Sequence, residues 1–200
     1  MLQVKLDAEH GTLTTVKNPA YWLEPGEKES QPSPGCTVAI NTEKLSNVTL
    51  TTTVELNALG EKQMFLFITD AYVPYGVRSV QMESPTGYMG KPFSNFWALD
   101  LSTGHVSPVP PDPPGELPSP IIIGTADGSI AQGALLSDRT ASYAHFAFYF
   151  ADDANWTTKW SAVLRRGAFP SPFHLQTKTY VAVGTVSEVA ALLMKAYKMG

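Results

Sequence analysis

Apolar and polar side chains alternate along several stretches of the chain, and this period of two predicts β-strands. In residues 48–56 the even positions are mostly aliphatic, whereas the odd positions carry threonine and glutamate. Residues 143–150 alternate more strictly, with phenylalanine at positions 146, 148 and 150 and with His145, Ala147 and Tyr149 on the other parity. We expect one face of each strand to lie against a core, and in residues 143–150 we expect this to be the phenylalanine face.

Other stretches rich in β-branched and aromatic residues extend the set of predicted strands. Residues 2–16 predict a hairpin around a turn at His10 and Gly11. Residues 121–136 predict a second hairpin, because Asp127 and Gly128 suit a two-residue type I′ turn. The remaining predicted strands are residues 37–40, 47–56, 63–70, 76–82, 95–101, 156–165 and 176–183.

Two proline-rich segments separate groups of predicted strands. Residues 18–35 combine prolines, glycines and a cluster of charges, so they predict a long surface loop that also contains Tyr21 and Trp22. Residues 106–120 hold seven of the sixteen prolines. Because proline lacks a backbone donor and fixes φ, we expect this segment to be an extended surface connection outside any strand ladder.

One helix is predicted over residues 186–198. Thr185 and Glu188 have the spacing of a capping box, and Val189 and Leu193 belong to an apolar stripe at helical spacing. We expect this helix to pack on a sheet. Many strands with one helix predict an all-β fold, an antiparallel β-sandwich or a wide barrel, in a single domain spanning residues 1–200.

Composition narrows the class of partner. Charged residues make up 16% of the chain and the formal net charge is −4, so the basic surface that nucleic-acid binding requires is missing and we expect no nucleic-acid partner. No apolar stretch approaches the roughly 20 residues that span a bilayer, and the start does not resemble a signal peptide. We therefore expect a soluble protein, and the sequence does not indicate its cellular compartment. The single cysteine, Cys36, excludes an intramolecular disulfide.

Candidate catalytic residues are few, because the sequence contains no Gly-x-Ser-x-Gly elbow, phosphate-binding glycine loop or HExxH motif. His145 or His174 could act as a general base with Glu83 or Asp100 as the partner carboxylate. For His145 the alternative is a neutral, hydrogen-bonded histidine at a half-buried position. The spacing of the four histidines indicates no metal site, and we expect neither a metal nor a cofactor.

Two acidic positions are better explained by turns than by chemistry. Asp127 fits the turn of the second predicted hairpin, so a catalytic role is the less favoured interpretation. Asp152, Asp153 and Asn155 could offer oxygen ligands to calcium, but their spacing matches no calcium loop and a solvated turn is favoured.

Aromatic residues form two candidate binding groups. Trp156 and Trp160 share a strand face, and Lys159 and Arg165 lie close enough in sequence to bond the hydroxyls of a sugar stacked on an indole ring. The alternative is that the tryptophans belong to the core; we expect Trp160 to be buried and Trp156 to be exposed.

The second aromatic group lies in and after a loop. Tyr88, Asn95 and Trp97 occur where a segment containing glycine and proline leads into a predicted strand. Surface loops carry binding residues more often than strand interiors do, so these residues are candidates for ligand binding as well.

Residues 179–189, TYVAVGTVSEV, follow the last predicted strand into the helix. They resemble a segment of sugar-active β-sandwich enzymes such as the aldose mutarotases. The resemblance covers eleven residues and includes no catalytic residue, so it assigns neither a family nor a site.

Three functions are consistent with these patterns. The aromatic groups favour a β-sandwich that binds a carbohydrate or another small molecule. A histidine with a carboxylate would instead support a glycan-acting enzyme, an isomerase or a lyase. Low charge and many apolar strands would also suit a structural or assembly module with an aromatic interface, and hence a homo-oligomer.

Overall fold

The computed structural model describes residues 3–28, 38–110, 115–149 and 156–200, with the backbone alone at 146–149 and 156. The chain forms β1 (Gln3–Asp7), β2 (Thr12–Lys17), β3 (Thr49–Leu56), a short 3₁₀ turn (Ala58–Gly60), β4 (Met64–Val73), β5 (Val80–Gly90), β6 (Asn95–Leu99), β7 (Val106–Val109), β8 (Gly115–Leu117), β9 (Ile121–Gly124), β10 (Ala131–Leu136), β11 (Ser142–Tyr149), β12 (Trp156–Arg166), β13 (Phe173–Gly184) and α1 (Val186–Met199).

Two antiparallel sheets of unequal width pack face to face, which confirms the predicted β-sandwich with one helix packed on it. The large sheet has nine strands in the order β1-β2-β3-β4-β13-β10-β9-β6-β7, and the small sheet has four in the order β5-β12-β11-β8. The core between them includes Phe96, Ile123, Val181, Trp160 and Leu164. The organisation of residues 1–200 as one domain stays a prediction.

Strand β13 lies in the middle of the large sheet, between β4 and β10, and its side chains alternate between two environments. Leu175 and Val181 point into the core between the sheets, whereas Tyr180 and Ala182 point to the opposite face, under the helix. The strand can do this because its sequence alternates with a period of two.

A buried cluster of hydroxyl groups joins the two sheets beside this apolar core. Ser84 of β5 donates to Thr69 of β4 at 3.0 Å and accepts from Thr177 of β13 at 2.9 Å, and Thr179 donates to the Ser84 carbonyl at 2.6 Å. Each of these side chains is buried, so the hydrogen bonds offset the cost of removing the hydroxyls from water.

Helix α1 begins and packs as its sequence predicts. The Thr185 side chain accepts from the Glu188 N–H, and the Glu188 carboxylate accepts from the Thr185 N–H, which completes the capping box. Val189, Ala190, Leu193 and Ala196 are buried against the large sheet. Among the described residues, no helix has both the length and the apolar character needed to cross a membrane.

The proline-rich segment enters both sheets, so the expectation that residues 106–120 stay outside the ladders is wrong. Val106–Val109 pairs with β6, and Gly115–Leu117 pairs with β11. Both strands lie at an edge, β7 of the large sheet and β8 of the small one. An edge strand bonds on one side only, so Pro108 can occupy it where its missing donor faces away from the ladder.

The hairpin of β9 and β10 is confirmed, but its predicted two-residue turn is wrong. The ladder closes at Gly124 and Ala131, and residues 125–130 form a longer loop. Gly128 has a φ of 69°, whereas Asp127 is not left-handed and binds the loop through its side chain. A type I′ turn needs positive φ at both central residues, so the loop takes a different form.

One further prediction differs from the structure, and another falls mostly outside the described side chains. Residues 38–40 make only an isolated bridge, Val38 with Lys28, and no strand; residue 37 lies outside the described residues. In β11, Tyr143, Ala144 and His145 are buried, and the His145 ring lies 5.5 Å from that of Phe96 in the large sheet. The phenylalanine side chains at 146, 148 and 150 lie outside the described side chains.

Trp160 packs directly on the backbone of Gly87, its ladder partner in β5. A Cβ added at Gly87 would lie 2.5 Å from Trp160 Nε1 and 2.8 Å from Cε2, closer than any real carbon contact. The bare glycine therefore provides the space in which the indole is buried, with 4% of its surface exposed.

We expect Gly87→Ala to destabilise the protein by about 1–3 kcal/mol, because the added methyl group must displace a large side chain from a packed core. Urea unfolding at equilibrium measures this loss. Gly90→Ala in the same strand is the matched control, since its Cβ would meet only Pro92 at 3.9 Å. Equal stability of both variants would show that the indole does not depend on Gly87.

Candidate functional site

A groove opens beside the start of α1, on the helix-bearing face of the large sheet. It has a volume of about 510 Å³. Its lining comprises Trp97 of β6, Val106 of β7, Ala126, Asp127, Gly128 and Ser129 of the β9–β10 loop, and Thr185, Val186 and Ser187 at the start of the helix. We call this opening the Trp97 groove.

The two walls of the Trp97 groove are bonded to each other. The Val186 N–H donates to the Gly128 carbonyl at 3.0 Å, so the first turn of the helix is held against the β9–β10 loop. A Cβ at Gly128 would lie 3.2 Å from Val186 Cγ2, and its φ of +69° also favours glycine. These constraints fix the width of the groove before any ligand is bound.

Asp127 presents a carboxylate to the groove in a fixed orientation. Its Oδ1 accepts from the Thr125 hydroxyl at 2.6 Å and from the Ser129 N–H and hydroxyl at 3.1 and 2.8 Å. The Thr125 and Ser129 hydrogen bonds lower the pKa of Asp127 to about 2, so the group is ionised at neutral pH. Within the part of the chain that the structure describes, Oδ2 makes no hydrogen bond and can accept from a ligand.

The remaining lining completes a surface that is apolar on one side and polar on the other. The Trp97 indole is half-buried beside Val106, while Ser129 and Ser187 are exposed on the rim. No lysine, arginine or histidine is among the described residues that line the groove. Its charge is therefore negative, which favours an uncharged or cationic ligand over a phosphate or carboxylate.

Of the predicted ligand-binding residues whose side chains the structure describes, Trp97 is the one in this groove. Asn95 begins the same strand and donates to Ser94 at 3.2 Å. No local pattern indicates the other lining residues, and at Asp127 the sequence favours a turn over a catalytic role. The position of Asp127 next to Trp97 depends on the pairing of β6 with β9, a contact that no local pattern reveals.

Four other predicted residues meet on the outer face of the small sheet. Glu83 forms an ion pair with Lys159 at 2.9 Å and also accepts from Thr86 and Ser161. Lys159 lies 5.8 Å from the centre of the exposed Tyr88 ring. Arg165 binds both oxygens of Glu116 at 2.6 Å. We call this network the polar face.

The charges of the polar face are largely satisfied by one another. Burial acts to raise the pKa of Glu83, but the hydrogen bonds from Lys159, Thr86 and Ser161 outweigh it and hold the pKa below its ordinary value. The Arg165 guanidinium likewise lowers the pKa of Glu116. Such a network orients the strands that carry it, and a ligand would have to displace existing bonds to reach these groups.

The four predicted catalytic residues are not brought together. His174 lies on the outer face of the large sheet, where it contacts Asp70 at 3.0 Å, and Glu83 belongs to the polar face. Asp100 accepts from the Ser102 side chain and backbone N–H in a turn, and these bonds lower its pKa to about 2. His145 is buried between the sheets.

Trp160 is also in the core, as expected, and Thr158 on the same strand face is buried with it. The side chain of Trp156, and the segment with Asp152, Asp153 and Asn155, lie outside the described residues. Cys36 does too. Among the described residues, no three histidine, cysteine, aspartate or glutamate side chains cluster as metal ligands.

Two other openings are less suited to a polar ligand of sugar size. One, of about 130 Å³, lies near the end of α1 between Leu101, Leu135 and Tyr197. Another, of about 490 Å³, is lined by Asn18 and residues 43–47, and the described part of its lining contains no aromatic ring. Sites for small molecules usually enclose about 300–1,000 Å³ and include aromatic side chains, and the Trp97 groove has both properties.

Comparisons with known proteins leave the function open. No protein-family model and no curated protein matches the sequence. One solved structure that is similar in fold is that of an Escherichia coli K12 protein provisionally assigned as an aldose 1-epimerase, with 9% sequence identity and a TM-score of 0.45, covering 92% of this chain and 68% of that one.

The burial of His145 predicts that the stability of the fold depends on pH. His145 is 3% exposed, its ring lies 5.5 Å from that of Phe96, and no hydrogen bond satisfies its Nδ1 among the described atoms. Burial disfavours the charged imidazolium and lowers the pKa of His145. The unfolded chain therefore binds a proton more readily than the folded protein below about pH 6.5.

We expect the free energy of unfolding to fall between about pH 7 and about pH 5, because protonation stabilises the unfolded state in this range. Urea titrations across the range measure the slope. His145→Phe should reduce it, whereas His105→Gln, which removes an exposed histidine, should leave it unchanged. An unchanged slope in His145→Phe would assign the effect to other groups.

Proposed function

We propose that this protein binds a neutral carbohydrate or a similar polyol in the Trp97 groove. The observation that carries the proposal is a half-buried indole facing a groove whose rim holds an oriented carboxylate and two exposed serine hydroxyls. A sugar ring offers a C–H face that stacks on an aromatic ring and hydroxyl groups that bond to polar side chains.

The charge of the groove supports a neutral ligand. Asp127 Oδ2 can accept from a ligand hydroxyl, and the Ser129 and Ser187 side chains can donate or accept. The Glu188 carboxylate, which caps the helix next to Ser187, adds a second negative charge beside the groove. A sugar phosphate would meet repulsion from both carboxylates, whereas a neutral sugar would not.

Binding is better supported than catalysis at this site. Acid–base catalysis of sugar chemistry needs groups that can exchange a proton near neutral pH. Asp127, with a pKa of about 2, is a permanent acceptor rather than an acid. The alternative of an enzyme using His174 would place the reaction on the opposite part of the sheet, where Asp70 orients the imidazole and Tyr72 lies 5.0 Å away.

A glycan array followed by titration of the best neutral sugar, observed by ¹H–¹⁵N NMR, tests the proposal. We expect shift changes at Trp97, residues 126–129 and residues 185–187. Trp97→Ala should weaken binding by about tenfold or more, equivalent to about 1.4 kcal/mol. Asp127→Asn should also weaken it, because the amide keeps an acceptor for the loop but replaces the free carboxylate oxygen with a donor.

Trp22→Ala is the matched control, because Trp22 is 88% exposed and lies in a different loop. It should bind as the unaltered protein does. Urea unfolding of each variant separates lost binding from lost folding. Shift changes confined to the polar face or to His174, with none in the groove, would contradict the proposed site.

A further inference from the structure

Strand β1 leaves one side of the large sheet open. In the part of the chain that the structure describes, β1 pairs with β2 alone and is the last strand on its side. Its residues Gln3 to Leu6 are exposed on both faces. Open sheet edges expose unpaired backbone donors and acceptors, and they accept a further strand unless something blocks them.

The side chains beside this edge form an exposed apolar row. Leu6 lies opposite Leu13, Leu13 opposite Val54, and Val54 opposite Phe67, so the row crosses four strands on one face. This is the face that the small sheet covers farther along. Near the edge it is uncovered: Leu6 is 71% exposed, Val4 56% and Leu13 39%. Contiguous exposed apolar surface of this kind marks interaction sites.

We propose that the occupant of this edge is a second copy of the chain, paired antiparallel through β1 about a two-fold axis. An axis perpendicular to the sheet keeps the apolar faces of both copies on the same side. It also requires that one residue of β1, at the centre of the pairing, lies directly opposite the same residue of the second copy. Lys5 and Asp7, on the face of β1 opposite to Leu6, make some of the possible registers more favourable than others.

A register centred on Lys5 would place two lysines opposite each other, and like charges in opposite positions destabilise a sheet. A register centred on Leu6 places Lys5 opposite Asp7 of the partner subunit, and the reverse pair is formed by symmetry. Opposite charges are then matched twice. On the other face Leu6 meets the partner's Leu6, so the apolar row continues from one subunit into the next.

The size of the contact implies a concentration-dependent dimer. The edge strand is five residues long, so the interface resembles the small contacts of transient complexes rather than the larger ones of obligate dimers. This inference is independent of the proposed ligand, because the Trp97 groove lies near the other edge of the sheet, at β6 and β7.

Sedimentation velocity across the micromolar range tests the association. We expect a monomer–dimer equilibrium for the unaltered protein and at least tenfold weaker association for Leu6→Lys. Leu56→Lys is the matched control, because Leu56 is 58% exposed on the same face but lies two strands from the edge. It should dimerise normally. A protein that stays monomeric at every concentration, or a dimer unaffected by Leu6→Lys, would overturn the proposal.

Cysteine substitution tests the register. Opposite residues of antiparallel strands have Cα atoms about 4.5–5.5 Å apart, within the range of a disulfide. In a Cys36→Ser background, Leu6→Cys should form an intersubunit disulfide under mild oxidation, whereas Lys5→Cys should not. Preferential cross-linking of Lys5→Cys would mean that the lysines are aligned and would refute the charge-matched register.

Discussion

The alternation of side chains along β13 is the constraint on which both layers of packing depend. The strand pairs with β4 over residues 173–182 and with β10 over residues 179–184, and its two faces contribute to different cores. Thr177 and Val181 reach the small sheet, while Ala182 lies under the helix. A slip of one residue would exchange these environments and bury Lys178 in place of Thr177. The pairing of β13 therefore fixes where both the small sheet and α1 can lie.

The same strand positions the groove. β13 ends at Gly184, which pairs with Ala131, and the next residue, Thr185, caps the helix. The pairing of Gly184 therefore determines where α1 starts. The opposing wall belongs to the loop after β9, and β9 pairs with the strand that carries Trp97. A rigid sheet thus carries a site built largely from loops, which is a common division of roles between scaffold and binding residues.

Features that depend on neighbours in sequence were predictable, and features that depend on distant pairing were not. The capping box and the alternation of the later strands needed only local spacing, and both are present. The burial of Trp160 has a cause 73 positions away, in a glycine whose role no pattern indicated. Similarly, Glu83 forms its ion pair with a lysine of another strand, so the sequence does not distinguish this paired carboxylate from a catalytic one. The prolines of residues 106–120 led to a wrong prediction, because we expected them to exclude a strand. Proline is compatible with an edge strand, and only the whole sheet shows which strands lie at an edge.

The unequal width of the two sheets has a consequence for how the molecule opens. Around residues 179–182 of β13 the sheet is covered on both faces, whereas most of β1 is exposed on both. Local opening costs least where few apolar contacts must be broken, so the β1–β2 hairpin is the segment that can separate without unfolding the rest. Amide hydrogen exchange should then form a gradient across the sheet, fastest at β1 and slowest at β13. The protein has its most rigid part at the helix-covered centre and its most adaptable part at the open edge.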